Sequence, residues 1–347
     1  MSLTIERDVP LAPRTTLGIG GPARRFVRVT SVAELRHALA DAEAAGELVL
    51  VLGGGSNLVI NDEGWPGLVI QIAITGVMFE DDGGGVLVHA GAGVVWDDLV
   101  AQTVERELAG LECLSGIPGL VGATPMQNVG AYGQEVADTI VCVDALERAT
   151  GQVVEFMPVD CGFAYRTSKF KGSERWIITN VSFRLLRDSN SRPIRYAELA
   201  KSLGVAEGGT APLRAVRDRV IELRRGKGMV VDPSDPDSRS AGSFFMNPIV
   251  DAATVAALEA KLPAGTLIPR WPASDGKTKL SAGWLIERAG FVKGAVHGNV
   301  GISSKHALAL VNRGGASTSE LLALAREIQD GVRDRLGIEI HPEPVIV

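Results

Sequence analysis

Apolar positions recur at helical spacing near the start of the chain and then give way to β-rich runs. Ser31 and Glu34 have the spacing of a capping box, and Leu35 and Leu39 follow at helical period. Gly46 stops this helix before a short apolar run that predicts a strand. Predicted strands cover 48–52, 68–72 and 86–90, and a second helix, opening with Asp97 and Asp98, is expected over 96–108. This part of the chain is predicted to be α+β.

A second pattern lies between residues 140 and 186, where Val/Ile-rich runs predict antiparallel sheet. Apolar and polar residues alternate from 177 to 185, as expected for a half-buried strand. The polar segment 187–193 follows and predicts a boundary. Later apolar faces at helical spacing comprise Leu213, Val216, Val220 and Leu223 in one helix and Leu321, Ile328 and Val332 in another, which is expected to end before Gly337. The C-terminal half is therefore predicted to be a second α+β unit.

The bulk properties exclude several classes of protein. At 347 residues and 46% hydrophobic content, the chain is long enough for two or three compact units. The N-terminus lacks a basic stretch followed by an apolar one, so no secretory signal is expected and the cytoplasm is predicted. No apolar run reaches about 18 residues, which excludes a membrane span. A net charge of −6, without a basic stretch interleaved with aromatics, disfavours nucleic-acid binding.

The cysteines do not indicate a disulfide framework. Cys113, Cys142 and Cys161 are odd in number and include no CxxC pair. Ordinary reduced thiols are therefore predicted, and no metal site is expected.

Glycines gather where the backbone is expected to approach a ligand. The run 53–57 follows a predicted buried strand, and its consecutive NH groups suit a diphosphate, although a simple glycine turn explains it equally well. Segment 115–133 is dense in Gly, Pro and small polar residues, which favours a cofactor-wrapping role. Two other segments imitate a dinucleotide fingerprint. However, 18–23 follows no buried strand, and 91–96 ends in Trp96 where a small residue is needed, so a doubly wound NAD fold is disfavoured.

Three polar residues are candidates for chemistry. Arg166 lies among aromatic residues, where a guanidinium can hold a carboxylate through two hydrogen bonds, although a salt bridge at a strand end is the commoner reason for such an arginine. Ser243 precedes a bulky apolar pair and has no neighbouring His, so serine nucleophile chemistry is not indicated. Glu343 lies four residues from the chain end, where a solvated carboxylate is the simpler interpretation.

Seven segments, read in order, resemble the UDP-N-acetylenolpyruvoylglucosamine reductase family across nearly the whole chain: GGGSN, SGIPG, GATPMQNVGAYG, YRTSKFK, AGSFFMNP, AGWLIE and PEP. The resemblance implies an FAD-binding domain of the vanillyl-alcohol oxidase (PCMH) type at 1–188, with subdomains at about 1–75 and 76–188. It further implies an α+β substrate domain at 189–347, whose last strand, 338–347, returns to the flavin site.

The implied reaction belongs to peptidoglycan precursor synthesis. NADPH reduces a non-covalently bound FAD, and hydride then passes from flavin N5 to the methylene of UDP-N-acetylglucosamine enolpyruvate, giving UDP-N-acetylmuramate. Hydride addition places negative charge on the neighbouring carbon and its carboxylate, which the site must stabilise and then protonate. By resemblance, Arg166 and Glu343 hold and polarise this carboxylate, and Ser243 delivers the proton.

The resemblance also implies binding residues. Those for FAD are Gly53, Gly54, Gly55, Ser56, Asn57, Ser115, Gly116, Pro118, Gly119, Gly122, Ala123, Gln127, Asn128, Gly130 and Tyr132. Those for the UDP-sugar are Tyr196, Lys227, Asn247 and Lys293, although Lys227 is also explained as a lysine at a helix C-terminus. Met246 stands where the family usually has lysine, and Arg224, Arg225 or Lys293 could supply that charge. A monomer is expected.

Two other functions remain open. The N-terminal motifs alone also fit a flavin oxidase or dehydrogenase of the same FAD-domain superfamily acting on another substrate. A catalytically silent flavin- or nucleotide-sugar-binding regulator is the second. Ser243, Glu343 and Lys227 favour the reductase over the oxidase. Arg166, Ser243 and Glu343 favour it over the silent regulator.

Overall fold

The structure is a computed structural model that describes residues 3–347. The chain divides into two compact units, each assembled from separate stretches of sequence. Within the described residues, the first unit comprises 3–9, Ala23–Gly54 and Pro66–Arg225, and the second comprises Pro10–Pro22, Gly55–Trp65 and Gly226–Val347.

The structure contains both strands and helices, which confirms the α+β prediction. The strands are β1 Glu6–Pro10, β2 Pro22–Val29, β3 Val49–Leu52, β4 Leu58–Val59, β5 Trp65–Ile72, β6 Val77–Asp81, β7 Gly85–Gly91, β8 Leu108–Ala109, β9 Gly130–Ala131, β10 Gln134–Glu135, β11 Ile140–Glu147, β12 Val153–Phe156, β13 Trp176–Arg187, β14 Ile249–Val250, β15 Arg270–Pro272, β16 Thr278–Leu280, β17 Val296–His297, β18 Val300–Ile302, β19 Leu310–Asn312 and β20 Val345–Ile346. The α-helices are α1 Val32–Ala44, α2 Trp96–Glu105, α3 Pro158–Cys161, α4 Ala197–Leu203, α5 Leu213–Gly226, α6 Ala252–Ala260, α7 Ala282–Arg288 and α8 Thr318–Leu336. None of the helices in the described range 3–347 combines the length and the apolar character that crossing a bilayer requires.

The first two helices begin where the sequence predicts. The Ser31 side chain accepts a hydrogen bond from the Glu34 NH at 3.2 Å, which satisfies one donor of the first turn of α1. The Glu34 carboxylate accepts a hydrogen bond from the Thr30 NH at 2.6 Å instead of from the Ser31 NH. The predicted capping box is therefore only half formed. Helix α2 stops at Glu105, three residues before its predicted end, because Glu107 adopts a left-handed backbone with φ 55°.

The first unit contains two main sheets. One has the order β1-β2-β5-β3, and the other has the order β12-β11-β13-β7-β6, with β8 also on β13. Strand β13 is antiparallel to both neighbours, as predicted, and Val181, Phe183 and Leu185 are fully buried. Ser182 is also buried, and its hydroxyl lies 2.8 Å from the Nδ1 atom of His89, its partner on β7.

Helices α4 and α5 pack within the first unit. Leu199, Val216 and Val220 form a buried cluster with Cys113, which lies just before the glycine-rich segment at 115. The division between the compact units therefore falls after Arg225 in this stretch of chain. The boundary predicted after residue 188 does not coincide with that division, and as a domain boundary it stays a prediction.

The second unit packs α7 and α8 over small sheets. Phe244, Leu285 and Ile328 belong to its fully buried core. Helix α8 starts at a capping box formed by Ser317 and Glu320 and ends at the predicted stop, a glycine with φ 75°. The sheets have the orders β14-β16-β15, β17-β18-β19 and β20-β4, and the last pair is parallel.

The three cysteines are free thiols, as predicted. Burial raises the pKa of Cys161 to about 11. Burial, together with the carboxylates of Asp144 and Glu155, raises the pKa of Cys142 to about 12. These two thiols therefore stay protonated near neutral pH.

Candidate active site

Two glycine segments of the first unit lie against each other. Strand β3 is parallel to β5 and ends immediately before Gly53. A Cβ atom at Gly54 would lie 2.9 Å from the Cα atom of Gly119, so only glycine fits there. Among residues 3–347, no acceptor is found for the NH groups of Gly53, Gly54 and Gly119. Half-buried NH groups without a protein acceptor suit the oxygen atoms of a phosphate.

The rest of the first glycine run belongs to the second unit. Gly55 has φ 61°, and a Cβ atom there would lie 2.1 Å from the carbonyl oxygen of Arg14, so this position also requires glycine. Ser56 is half-buried, and its carbonyl oxygen is 3.5 Å from the Thr16 hydroxyl. Asn57 donates its side-chain amide to the Glu343 carbonyl at 3.4 Å, which ties the run to the end of the chain.

Internal hydrogen bonds hold the start of segment 115–133. The buried Ser115 hydroxyl donates to the Glu112 carbonyl at 2.7 Å, and the Gly116 NH donates to the Asp97 carboxylate at 2.6 Å. A Cβ atom at Gly122 would lie 2.6 Å from that of Ala92. Pro118 and Gln127 are half-buried on the same segment and Ala123 is exposed.

Asn128 is held by the fold on both sides of its amide. It is 1% exposed and has a left-handed backbone, with φ 45°. Its Nδ2 atom donates to Glu135 at 2.7 Å, and its Oδ1 atom accepts from the Ala137 NH at 3.2 Å. The structure therefore gives Asn128 a structural role, and its predicted contact with FAD stays a prediction.

Arg166 is fixed by a tight turn. Ala164 and Thr167 exchange two backbone hydrogen bonds around it, and its φ of 53° is left-handed. Its guanidinium donates to the Gly130 carbonyl at 2.8 Å and lies 5.5 Å from the centre of the Tyr165 ring. Left-handed backbone in a residue other than glycine costs about 1–3 kcal/mol and is concentrated at functional sites. This strain supports the candidacy of Arg166.

Ser243 and Glu343 lie on neighbouring extended segments of the second unit. The Glu343 NH donates to the Phe244 carbonyl at 2.9 Å, and the Met246 NH donates to the His341 carbonyl at 3.0 Å. Because Phe244 is fully buried, it anchors this pairing in the core. Glu343 is half-buried, and this pairing fixes its backbone. Ser243 and Glu343 therefore lie on two segments whose backbones are hydrogen-bonded to each other. The predicted role of the Glu343 carboxylate stays a prediction.

The predicted sugar-nucleotide residues fall in both units. In the first, Tyr196 precedes α4 and meets Tyr132 edge to face, with ring centres 5.3 Å apart. In the second, Asn247 accepts from the Ala282 NH at 2.9 Å, a structural contact at the start of α7. Its predicted substrate contact therefore stays a prediction.

Lys227 and Lys293 share a neighbour that sequence reasoning missed. Burial, with the charges of both lysines, lowers the pKa of His306 to about 4, so this imidazole is neutral at pH 7. Lys227 follows the last residue of α5, as its simpler interpretation requires, and Lys293 is 3.8 Å from Glu287. The positive charge of this cluster therefore comes from the lysines. No spacing in the sequence indicates that His306 lies beside them.

The pKa of His306 predicts how stability depends on pH. The unfolded state binds its proton near pH 6.5 and the folded state near pH 4, so this group's contribution is present above pH 6.5 and lost as pH falls toward 4. We expect it to lower the wild-type free energy of unfolding by about 2 kcal/mol between pH 7 and pH 5. Chemical denaturation of wild type and His306→Gln at both pH values measures this; equal losses in the two proteins would contradict it.

Comparison with known proteins defines the class and then the family. The family described as "FAD binding domain" matches residues 23–157, and the one described as "UDP-N-acetylenolpyruvoylglucosamine reductase, C-terminal domain" matches residues 233–347. These two domains define a flavin-binding oxidoreductase, and the predicted fold class is confirmed.

Full-length relatives narrow this class. The chain is 53% identical to a UDP-N-acetylenolpyruvoylglucosamine reductase of Thermobifida fusca, over 100% of this chain and 99% of the relative. It is 51% identical to one of Saccharopolyspora erythraea, over 97% and 94%. A solved reductase of Thermus caldophilus is 28% identical, with a TM-score of 0.67 and 99% of both chains covered. The chain belongs to the UDP-N-acetylenolpyruvoylglucosamine reductase family, which confirms the predicted resemblance.

Proposed function

We propose that this chain reduces UDP-N-acetylglucosamine enolpyruvate to UDP-N-acetylmuramate, with non-covalently bound FAD and with NADPH as reductant. The full-length relatedness to reductases supports the activity. The observation that carries the assignment of residues is the pairing of the Glu343 backbone with Phe244, next to Ser243. The cytoplasm and a monomeric state stay predictions.

The glycine segments fit the cofactor. FAD carries hydride chemistry that amino-acid side chains cannot supply. The unpaired NH groups of Gly53, Gly54 and Gly119 are suited to its diphosphate, because they present donors without adding a side chain. Tyr132 extends from the same glycine-rich segment, with a left-handed backbone held at φ 50°.

Arg166 would bind the substrate carboxylate. A guanidinium presents two parallel donors to a carboxylate, and its charge stabilises the negative charge that develops there after hydride addition. The tight turn and the bond to Gly130 restrict the arginine before substrate arrives. Such restriction lowers the cost of ordering the side chain on binding.

Ser243 would complete the reaction by protonation. Hydride addition at the methylene leaves an electron pair on the carbon beside the carboxylate, and a proton from the serine hydroxyl forms the second C–H bond. A hydroxyl is a weak acid, but that carbon is strongly basic at this stage. Glu343, beside the serine segment, would help to orient the carboxylate, and the proton must afterwards return to the serine from solvent.

The UDP group would be bound by separate residues. Lys227 and Lys293 concentrate positive charge around the neutral His306, which suits a diphosphate. Tyr196 is 40% exposed and its ring is oriented by Tyr132, so it is available to a sugar or a base.

An anaerobic two-step experiment tests the function. We expect NADPH to bleach the flavin absorbance of purified protein, and UDP-N-acetylglucosamine enolpyruvate to restore it with formation of a product heavier by one H2. UDP-N-acetylglucosamine, which lacks the enolpyruvyl group, is the control and should leave the flavin reduced. If the enolpyruvyl substrate also leaves it reduced, the reductase assignment fails; an absence of bleaching by NADPH would favour a silent binding protein.

A further inference from the structure

One carboxylate joins two helices and the glycine-rich segment of the first unit. Asp97, in the first turn of α2, accepts hydrogen bonds from Arg217 on α5, with NH1 at 2.6 Å and NH2 at 2.9 Å. The oxygen that faces NH1 also accepts from the Gly116 NH at 2.6 Å. Because the two arginine bonds are parallel, they fix the carboxylate in orientation as well as position.

The loop at 115–119 depends on this contact. Gly116 is buried and has φ 70°, which glycine alone adopts freely. Its NH needs an acceptor inside the protein, because a buried donor without one is unfavourable. The loop is also held by Trp96, whose backbone NH donates to Gly119 and whose indole donates to Leu114, each at 3.0 Å. Asp97 therefore supplies the one charged attachment among these contacts.

The charge of Asp97 needs a counterion at this place. Burial alone would raise its pKa, but hydrogen bonds from Arg217 and Gly116 and the charge of Arg224 lower it below its usual value. The side chains of Arg217 and Asp97 are 16% and 33% exposed, so solvent screens them only partly. An uncompensated carboxylate beside this loop would repel a diphosphate, and Arg217 cancels that charge.

We propose that Asp97 and Arg217 are positioning residues for FAD, which hold Gly116 and its loop in a binding conformation without placing net negative charge beside the cofactor. This inference rests on the proposed function, because contact between the loop and FAD is part of it. The roles of the two residues differ. Asp97 fixes the loop, whereas Arg217 both orients Asp97 and neutralises it.

The test measures FAD release from purified holoenzyme on dilution, through the fluorescence of the freed flavin. We expect Asp97→Asn to raise the FAD dissociation constant about tenfold. Arg217→Gln should raise it more, because Asp97 then loses the counterion that is hydrogen-bonded to it and orients it, and Arg217→Lys should fall between wild type and Arg217→Gln. The double variant Asp97→Asn/Arg217→Gln should bind FAD no more weakly than Arg217→Gln, because the two residues act as a unit.

A matched ion pair separates positioning from stability. Glu47, between α1 and β3, and Arg25, on β2, lie in the same unit, 2.8 Å apart and with side chains 15% and 14% exposed. Glu47→Gln should lower the thermal midpoint at saturating FAD but leave the FAD dissociation constant unchanged. The inference is overturned if Asp97→Asn and Arg217→Gln retain wild-type affinity, or if Glu47→Gln weakens FAD equally. Wild-type protein without bound FAD would instead overturn the cofactor assignment.

Discussion

Replacement of Ser243 by alanine is expected to slow reoxidation of the reduced flavin by substrate about 100- to 10,000-fold, the usual contribution of a positioned proton donor. Reduction by NADPH should proceed at the wild-type rate, because the enolpyruvyl substrate takes no part in that half-reaction. Reoxidation slows because the carbanion, without a proton donor, returns its hydride to the flavin. Anaerobic stopped-flow absorbance resolves the two half-reactions. The expected signature is therefore one slow half-reaction beside one normal one.

A serine three residues earlier is the matched control. The Ser240 hydroxyl accepts from the Gly242 NH at 3.2 Å, so Ser240→Ala removes a structural bond in the same segment. This variant should lose some stability and keep both half-reactions. If Ser240→Ala and Ser243→Ala slow reoxidation alike, or if Ser243→Ala slows both half-reactions, the serine is structural and the proton has another source.

Loss of the Arg166 guanidinium is expected to lower kcat/KM for the enolpyruvyl substrate about 100-fold or more, since a charge-assisted, bidentate contact with a developing charge is removed. Arg166→Lys should recover only part of this loss, because lysine keeps the charge without the fork. Steady-state kinetics of both Arg166→Gln and Arg166→Lys measure the difference. Arg175, which pairs with Glu147 in the same unit, offers the control Arg175→Lys with near wild-type kinetics. Equal kinetics for wild type and Arg166→Gln would remove the arginine from the mechanism.

The backbone of Arg166 permits a separate check of its strain. With φ 53°, Arg166→Gly should be about 1 kcal/mol more stable than Arg166→Ala, although both variants lose the guanidinium. Urea denaturation measures the difference. Equal stabilities would show that the left-handed backbone is not strained, while leaving the kinetic prediction intact.

Structural features that depend on short-range chemistry could be predicted from the sequence. Ser31 as a helix start and the glycine stop after α8 depend on groups within a few residues of one another, and both are confirmed. The predicted end of α2 was wrong, because hydrophobic periodicity does not reveal the left-handed backbone at Glu107. The family could be recognised from the sequence, because seven motifs occur in the expected order and are identified without knowledge of their contacts.

Most contacts in the candidate site could not be predicted from local sequence patterns. Asp97 had the appearance of an ordinary acidic residue at a helix start, and only the structure shows that Gly116 and Arg217 meet it. The cluster of His306 with Lys227 and Lys293 likewise joins residues that no spacing relates. Asn128, predicted from the motif as a cofactor contact, proved to be bonded within the fold on both sides of its amide.

The sequence by itself determined the α+β class, the helix caps and the family, because these follow from local propensity and from the order of motifs. Only the tertiary structure decided that Glu343 pairs beside Ser243, that the final strand β20 lies parallel to β4, and that α5 packs in the first unit. Each of these contacts joins residues far apart in the chain. They arise because apolar faces must be buried together and backbone polar groups must find hydrogen-bond partners. Many arrangements of the same helices and strands satisfy those requirements locally, so only the packing of the whole chain selects one.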